Sequence, residues 1–167
     1  HNCLVGSEMC IRDSYKIVKE VLGKRKNIFC LAGPNFADEI LRGEKTITTI
    51  AGKNIIRNKL LKNVFKDTIL EVETTTDVIG VQIFSAMKNV IAIAVGILEG
   101  IGCGKNATIR IVMILVKEVQ KLNRSFHGSK NTAYLSAGIG DIMLTCFDEK
   151  SRNKSFGIKI GSGADIQ

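Results

Sequence analysis

The chain has 167 residues, of which 45% are hydrophobic, enough for one ordinary domain or for pieces of two. Its net charge of +8, from 24 Lys plus Arg against 16 Asp plus Glu, suits nucleic acid, acidic lipid or a phosphorylated small molecule without choosing between them. Five cysteines, at 3, 10, 30, 103 and 146, form no C-x-x-C pair, and His1 and His127 lie near none of them, which argues against a disulfide framework and a zinc site.

Residues 1–12, HNCLVGSEMCIR, show neither helical nor strand periodicity, read like a translated adaptor string and stay unassigned. Nothing at the start has the form of a signal peptide, so the chain reads as a cytoplasmic fragment. From Asp13 the pattern becomes helical, with Tyr15, Val18 and Val21 or Leu22 behind an Asp13 or Ser14 cap and Gly23 at the end. The one dense basic run, GKRKN at 23–27, falls at that helix end, where the dipole favours cations anyway. It contains no aromatic residue to stack on bases, so no nucleic-acid partner is expected.

NIFCLA reads as a short buried strand, and GPNFADEILRG as a short helix with Phe36, Ile40 and Leu41 on one side. KTITTIAG is a second strand, KNIIRNKLLKNVF an amphipathic helix and TILEVET a third strand. Such alternation with short loops predicts a doubly wound or related α/β unit. It stops near residue 75, and the remainder reads as all-α: Val78–Leu98, a run from Ala107 to about Leu122, and further pieces beyond Asn131.

Val78–Leu98 carries a single charge, Lys88, near its middle. The length fits a membrane span, but a central Lys costs about 2.5–3.5 kcal/mol on insertion scales, and Asp77 and Glu99 flank the run. No membrane span is expected. Gln82, Ser85 and Asn89 recur at i, i+3 and i+7 with Lys88 beside them, one narrow polar stripe on a helix otherwise buried. Such a lysine is either a structural ion-pair partner between packed helices or a desolvated amine fit to give and take a proton.

The glycine cluster GILEGIGCGKN is not a phosphate loop. A P-loop needs Gly where this chain has Glu99, and Ser or Thr where it has Asn106. Nor do Gly100, Gly102 and Gly104 fit G-x-G-x-x-G, so the cluster reads as a helix-ending bend.

Three separated segments, AGPNFADEI, DVIGVQIFSAMKNVIAIAVGILEGIGCGKNA and GIGDIMLTCFDEKSRNKSFGIKIGSG, resemble in order and spacing the motifs of the NAD(P)-dependent glycerol-3-phosphate dehydrogenases, over about residues 13–163. AMKNVIAIA and GIGDIMLTC followed by SRNKSFG are the specific parts; GPNFA alone is weak. The resemblance implies interconversion of dihydroxyacetone phosphate and sn-glycerol 3-phosphate with NAD or NADP, feeding glycerophospholipid synthesis. It also implies a small phosphorylated substrate as partner, and it is compatible with a homodimer in a complete chain. Residues 13–75 would be the C-terminal portion of a Rossmann-type domain, and residues 76–167 the start of an all-helical substrate domain.

Carried onto this chain, the resemblance makes Lys88 the catalytic lysine and Asn89 its neighbouring substrate contact. Asp141 becomes the acid paired with lysine and substrate, and Thr145 a hydroxyl near that pair. Ser151, Arg152 and Asn153 match the phosphate-binding triplet, with Arg152 also near the cofactor. Free N–H groups at a helix start and a forked guanidinium suit an anion. Gly33, Asn35 and Ala37 fall where the family's chain approaches substrate and nicotinamide, Ala37 on the cofactor side.

The chain departs from the family in lacking the dinucleotide fingerprint and a second active-site lysine before GPNFA, and in reading IRIVMIL at 109–115 where a Thr-Arg-Gly stretch is usual. Cofactor binding by the chain as it stands is therefore expected to be weak or nil. Two other readings remain open: a dehydrogenase of another small oxo acid, and a non-catalytic basic fragment.

Overall fold

The structure, a computed structural model, describes residues 11–23 and 27–164, with side chains from residue 17 onward. The unassigned string at 1–12 lies outside the described residues but for its last two, and so do Cys3, Cys10 and the middle of the basic run. Helix α1 spans Ile11–Leu22, so Asp13 and Ser14 lie inside it and do not cap it. Gly23 closes it at φ 78°, the left-handed conformation a helix end asks of glycine.

Three strands follow, β1 (Cys30–Ala32), β2 (Thr46–Ala51) and β3 (Leu70–Thr75), in the order β1-β2-β3. β1 is shorter than the expected 27–32. β2 and β3 are parallel, with Thr46 opposite Leu70 and Ala51 opposite Thr75. β1 runs antiparallel to β2, with Cys30 opposite Ala51, a direction that the expected strand–helix alternation leaves open. The reason is the connection. Helix α2 (Ala37–Leu41) has only five residues, too short to carry the chain back for a parallel crossover, whereas α3 (Ile55–Val64) with its flanks does so between β2 and β3. Leu41, expected inward, is 87% exposed, because α2 ends before a full second turn forms.

Helix α3 also reverses expectation. Its Ile56, Leu60 and Val64 are exposed, and the residue it buries completely is Asn58. The Asn58 amide donates to the carbonyls of Gly52 and Thr75, each at 2.8 Å, so it caps the ends of β2 and β3 that point toward the helical part. Asn58→Leu strands the Gly52 carbonyl and takes one of two donors from that of Thr75, which keeps the Gly52 N–H, and is expected to lower stability by about 2 kcal/mol in urea unfolding. An unchanged midpoint would show that the two bonds hold nothing.

Beyond β3 the chain is helical: α4 (Val78–Gly100), α5 (Lys105–Ser125), a 3-10 turn (Lys130–Tyr134), a wide kinked turn (Ser136–Gly140), α6 (Asp141–Phe147) and α7 (Arg152–Gly161). α4 is the centre, with α5, α6 and α7 packed around it. Phe84, Ile91 and Val95 of α4 meet Val112 and Val119 of α5 and Ile142 and Cys146 of α6 in one core. By length and composition α4 could cross a membrane, yet half of its most apolar window is buried inside the protein.

The glycine cluster is more than a bend. Gly102, at φ 82°, turns the chain out of α4, and Gly104 starts α5. Gly96 and Gly100 lie within α4, where a side chain would strike α7: a Cβ on Gly96 would sit 2.1 Å from the Lys154 carbonyl oxygen. α7 answers with Gly157 and Gly161, equally close to the carbonyls of Ile93 and Ile97.

Two polar knots tie sheet to helices. Asp77 caps α4 by accepting from the Gly80 amide, and its other oxygen accepts from Ser129 N–H and the Thr132 hydroxyl. Glu73 of β3 accepts from the Ser136 amide at 2.7 Å, while the Thr49 hydroxyl, 2.7 Å from that of Ser136, accepts from the Ala137 amide. Together they fix the start of the turn that leads into Asp141.

Candidate active site

Lys88 sits about midway along α4, its side chain 20% exposed. The stripe residues Gln82, Ser85, Lys88 and Asn89 are half-buried, while Ile79 and Val90 are the exposed residues of α4. The Lys88 ammonium donates to both oxygens of Asp141, at 3.2 and 3.0 Å. Asp141 is the first residue of α6 and its side chain is 5% exposed. Its position at a helix start is itself favourable for a carboxylate, because the first-turn amides carry positive partial charge. A two-point contact orients the ammonium and leaves its third proton free to point elsewhere.

The other stripe residues divide. Asn89 accepts from the Asn153 side-chain amide at 2.8 Å, bringing the stripe against the start of α7. Gln82 donates to Val78 of its own helix, and the buried Ser85 hydroxyl has no partner among the described residues.

At α7, Ser151 is buried and its hydroxyl accepts from the Lys154 amide at 3.3 Å, capping the helix. Arg152 is exposed and Asn153 half-buried against Asn89. The triplet thus divides its labour: the serine shapes the helix start, the arginine faces solvent, and the asparagine links the turn to α4. Thr145 donates to the backbone carbonyl of Asp141 at 2.7 Å, so its hydroxyl steadies the first turn of α6 and leaves the carboxylate untouched.

The loop Gly33–Phe36 reaches the same region. Gly33 has extended backbone, but a Cβ there would lie 2.9 Å from the Ile47 carbonyl oxygen, so only glycine lets the loop lie this close on β2. Pro34 rests beside Gly140, its ring 3.6 Å from where a Cβ would stand. Asn35 is held by β2 at both ends of its amide, donating to Thr48 and accepting from Thr46. It anchors the loop. Ala37 is exposed at the start of α2.

Three contacts have no signature that spacing alone reveals. Lys150 donates to Asp38 at 2.8 Å and stands 5.5 Å above the Phe36 ring, joining α2 to the loop before the triplet. The contact with Lys150 holds the exposed Asp38 carboxyl below its usual range. Lys154, one residue past the triplet, is 6% exposed and pairs with Glu99 at 3.1 Å. Burial pushes the Glu99 carboxyl up, and the hydrogen bonds from Lys105 and Lys154 outweigh it and hold the group below its ordinary value. Cys146, in the adjoining core, is pushed up to about 12 by burial, which the Lys154 charge partly opposes. Such a thiol is inert at neutral pH.

A cavity of about 720 Å³ lies between the end of α3 and the starts of β2 and β3, with Pro34, Thr46, Lys62, Phe65 and Leu70 in its lining, so it touches the Gly33–Phe36 loop but not Lys88, Asp141 or α7. It holds no candidate site residue. Among the described residues no cluster of His, Cys, Asp and Glu is arranged to hold a metal.

Comparison with known proteins adds three findings. Residues 77–167 match the family model described as NAD-dependent glycerol-3-phosphate dehydrogenase C-terminus, and residues 8–57 match its N-terminus counterpart. A glycerol-3-phosphate dehydrogenase [NAD(P)+] of Bartonella tribocorum is 38% identical over 153 residues, 91% of this chain and 46% of the relative; one of Alkalilimnicola ehrlichii is 36% identical over 151 residues, 90% and 46%. A crystal structure of glycerol-3-phosphate dehydrogenase from Coxiella burnetii superposes with a TM-score of 0.84 at 32% identity, over 93% of this chain and 48% of that one. The chain spans about half the length of the curated relatives it matches.

Proposed function

Because the chain belongs to the NAD-dependent glycerol-3-phosphate dehydrogenase family, we propose that it carries the proton-transfer and phosphate-binding part of an oxidoreductase interconverting dihydroxyacetone phosphate and sn-glycerol 3-phosphate with NAD or NADP. The observation that carries this reading is the two-point contact of Lys88 with Asp141 beside the α7 start. Residues 13–75 are the end of the nucleotide-binding domain and residues 76–167 the beginning of the substrate domain.

The substrate's phosphate lies at the first turn of α7, where Arg152 offers a planar fork, Asn153 an amide, and the backbone its free N–H groups. Ser151 contributes by capping that turn. The C2 oxygen faces Lys88. When bound, the nicotinamide supplies or accepts the hydride at C2. Lys88 donates the proton that completes the hydroxyl as the carbonyl is reduced, and its amine takes that proton back in oxidation. Asp141 aims the ammonium and balances its charge, with Asn89 beside the pair. Gly33, Asn35 and Ala37 form the loop closing the nicotinamide end, Asn35 by fastening it to β2.

The residues present fit only that end of a dinucleotide. No G-x-G-x-x-G occurs in the sequence, and that strand-to-helix turn is what seats a pyrophosphate. Calorimetry of the chain with NADH is expected to show no measurable binding; tight binding would contradict this. A cytoplasmic setting accords with Cys30, Cys103 and Cys146 being free thiols.

The substrate assignment is tested by putting residues 13–167 in place of the matching segment of the Bartonella tribocorum relative, which supplies the chain on either side. The graft is expected to reduce dihydroxyacetone phosphate and to leave oxo acids without a phosphate almost untouched. Equal rates with both would overturn it.

A further inference from the structure

α4 and α7 run in the same direction, since Asn89 meets Asn153, Gly96 meets Gly157 and Gly100 meets Gly161. The seam between them is glycine on both sides, so the backbones touch with no side chains interlocking as knobs and holes. Such a surface has little but the glycines themselves to mark one axial position. A slide of one helical turn, about 5.4 Å, would still bring glycines together but would also press Asn153 against Gly96 or Ala92 against Gly157. It would also carry Ser151, Arg152 and Asn153 that far from Lys88.

The Asn89–Asn153 bond opposes such a slide, and a buried charge pair opposes it further. Lys154 stands on the same face of α7 as Gly157 and Gly161, three and seven residues on, and its buried ammonium reaches Glu99 near the end of α4. A buried ion pair contributes little net stability but disfavours every arrangement that leaves one charge alone, and fixing register is its best-attested use. It fixes rotation as well. Successive helical residues turn by about 100°, so holding Lys154 inward presents Arg152 on the opposite side and Asn153 toward Asn89.

We propose that Lys154 is a positioning residue, paired with Glu99 to set the axial register and rotation of α7 and so the distance from the phosphate-binding turn to Lys88. The role in phosphate binding rests on the function proposed above; the register role does not.

The test uses the 167-residue chain. Lys154→Met with Glu99→Leu removes both buried charges at once and unpairs only the exposed Lys105, so no buried charge is stranded and the fold is expected to hold. Its α4–α7 register is read by NMR, through contacts between the α-protons of Gly96 and Gly157 and between the Asn89 and Asn153 side chains. The expected result is loss or doubling of these contacts, and their return in Lys154→Arg, which keeps Glu99 and the pair. A folded double variant that keeps one unaltered set of contacts overturns the proposal. Should the double variant fail to fold, Glu99→Gln is read the same way, and the same unaltered contacts overturn it.

Glycerol 3-phosphate is then titrated into parent and variant. Binding by the parent and binding weaker by roughly tenfold or more in the register-shifted variant is expected. No binding by the parent sinks the phosphate reading and leaves the register result to stand or fall by the NMR contacts.

Discussion

Lys88→Ala in the grafted full-length enzyme is expected to lower turnover of dihydroxyacetone phosphate by about 10²–10⁴-fold, the range a positioned acid or base contributes. The substrate KM should move little, because the phosphate site proposed lies at α7, away from Lys88. Lys88→Arg separates charge from proton transfer. A guanidinium can still pair with Asp141 in two-point fashion, but it does not give up a proton near neutral pH, so the arginine variant should remain as slow as the alanine one. Recovery of activity with Arg would mean that Lys88 supplies only charge. Asp141→Asn should fall between, since an amide still accepts one hydrogen bond from the ammonium but no longer balances its charge.

The second large effect lies in the α4–α7 seam. Gly96→Ala puts a methyl group 2.1 Å from the Lys154 carbonyl oxygen and 2.8 Å from the Ile158 nitrogen, backbone atoms that cannot swing away. The helices must part. Overpacking of this kind costs about 1–3 kcal/mol and sometimes more, against a gain of up to about 1 kcal/mol for alanine over glycine within a helix. A net loss of about 2 kcal/mol in urea unfolding is expected, with a weakened Lys154–Glu99 pair beside it. Gly104→Ala is the control: nothing lies within 4 Å of its Cβ, and its φ of −70° suits any residue. It should cost no more than about 1 kcal/mol, the preference of an N-cap for glycine over alanine. Equal effects at the two positions would show that the seam is not tight.

What the sequence made legible follows from how far each signal reaches. α4 stood out because an apolar run over many turns leaves few alternatives, and its polar stripe with Lys88 is a local periodic pattern that survives folding. Asp141 and the triplet carried little signal of their own; a carboxylate after glycine or a Ser-Arg-Asn string is ordinary surface chemistry until the family motifs place them together. The direction of β1 was hidden because strand patterns carry no direction, and only the length of α2 decides it. Asn58 misled for the opposite reason. Asparagine on an amphipathic helix reads as the wet face, yet its buried amide reaches two strand-end carbonyls at once, that of Gly52 and that of Thr75. The glycines of α4 likewise read as a break, because the partner helix that makes Gly96 and Gly100 necessary lies more than fifty residues downstream.

The most direct test of the central claim is a crystal structure of the grafted enzyme with dihydroxyacetone phosphate and a nicotinamide cofactor. The account expects the C2 oxygen within about 3 Å of the Lys88 nitrogen, Asp141 on the far side of that nitrogen, and the phosphate at the first turn of α7. A substrate lodged elsewhere, or one whose phosphate points away from Arg152 and Asn153, would contradict it.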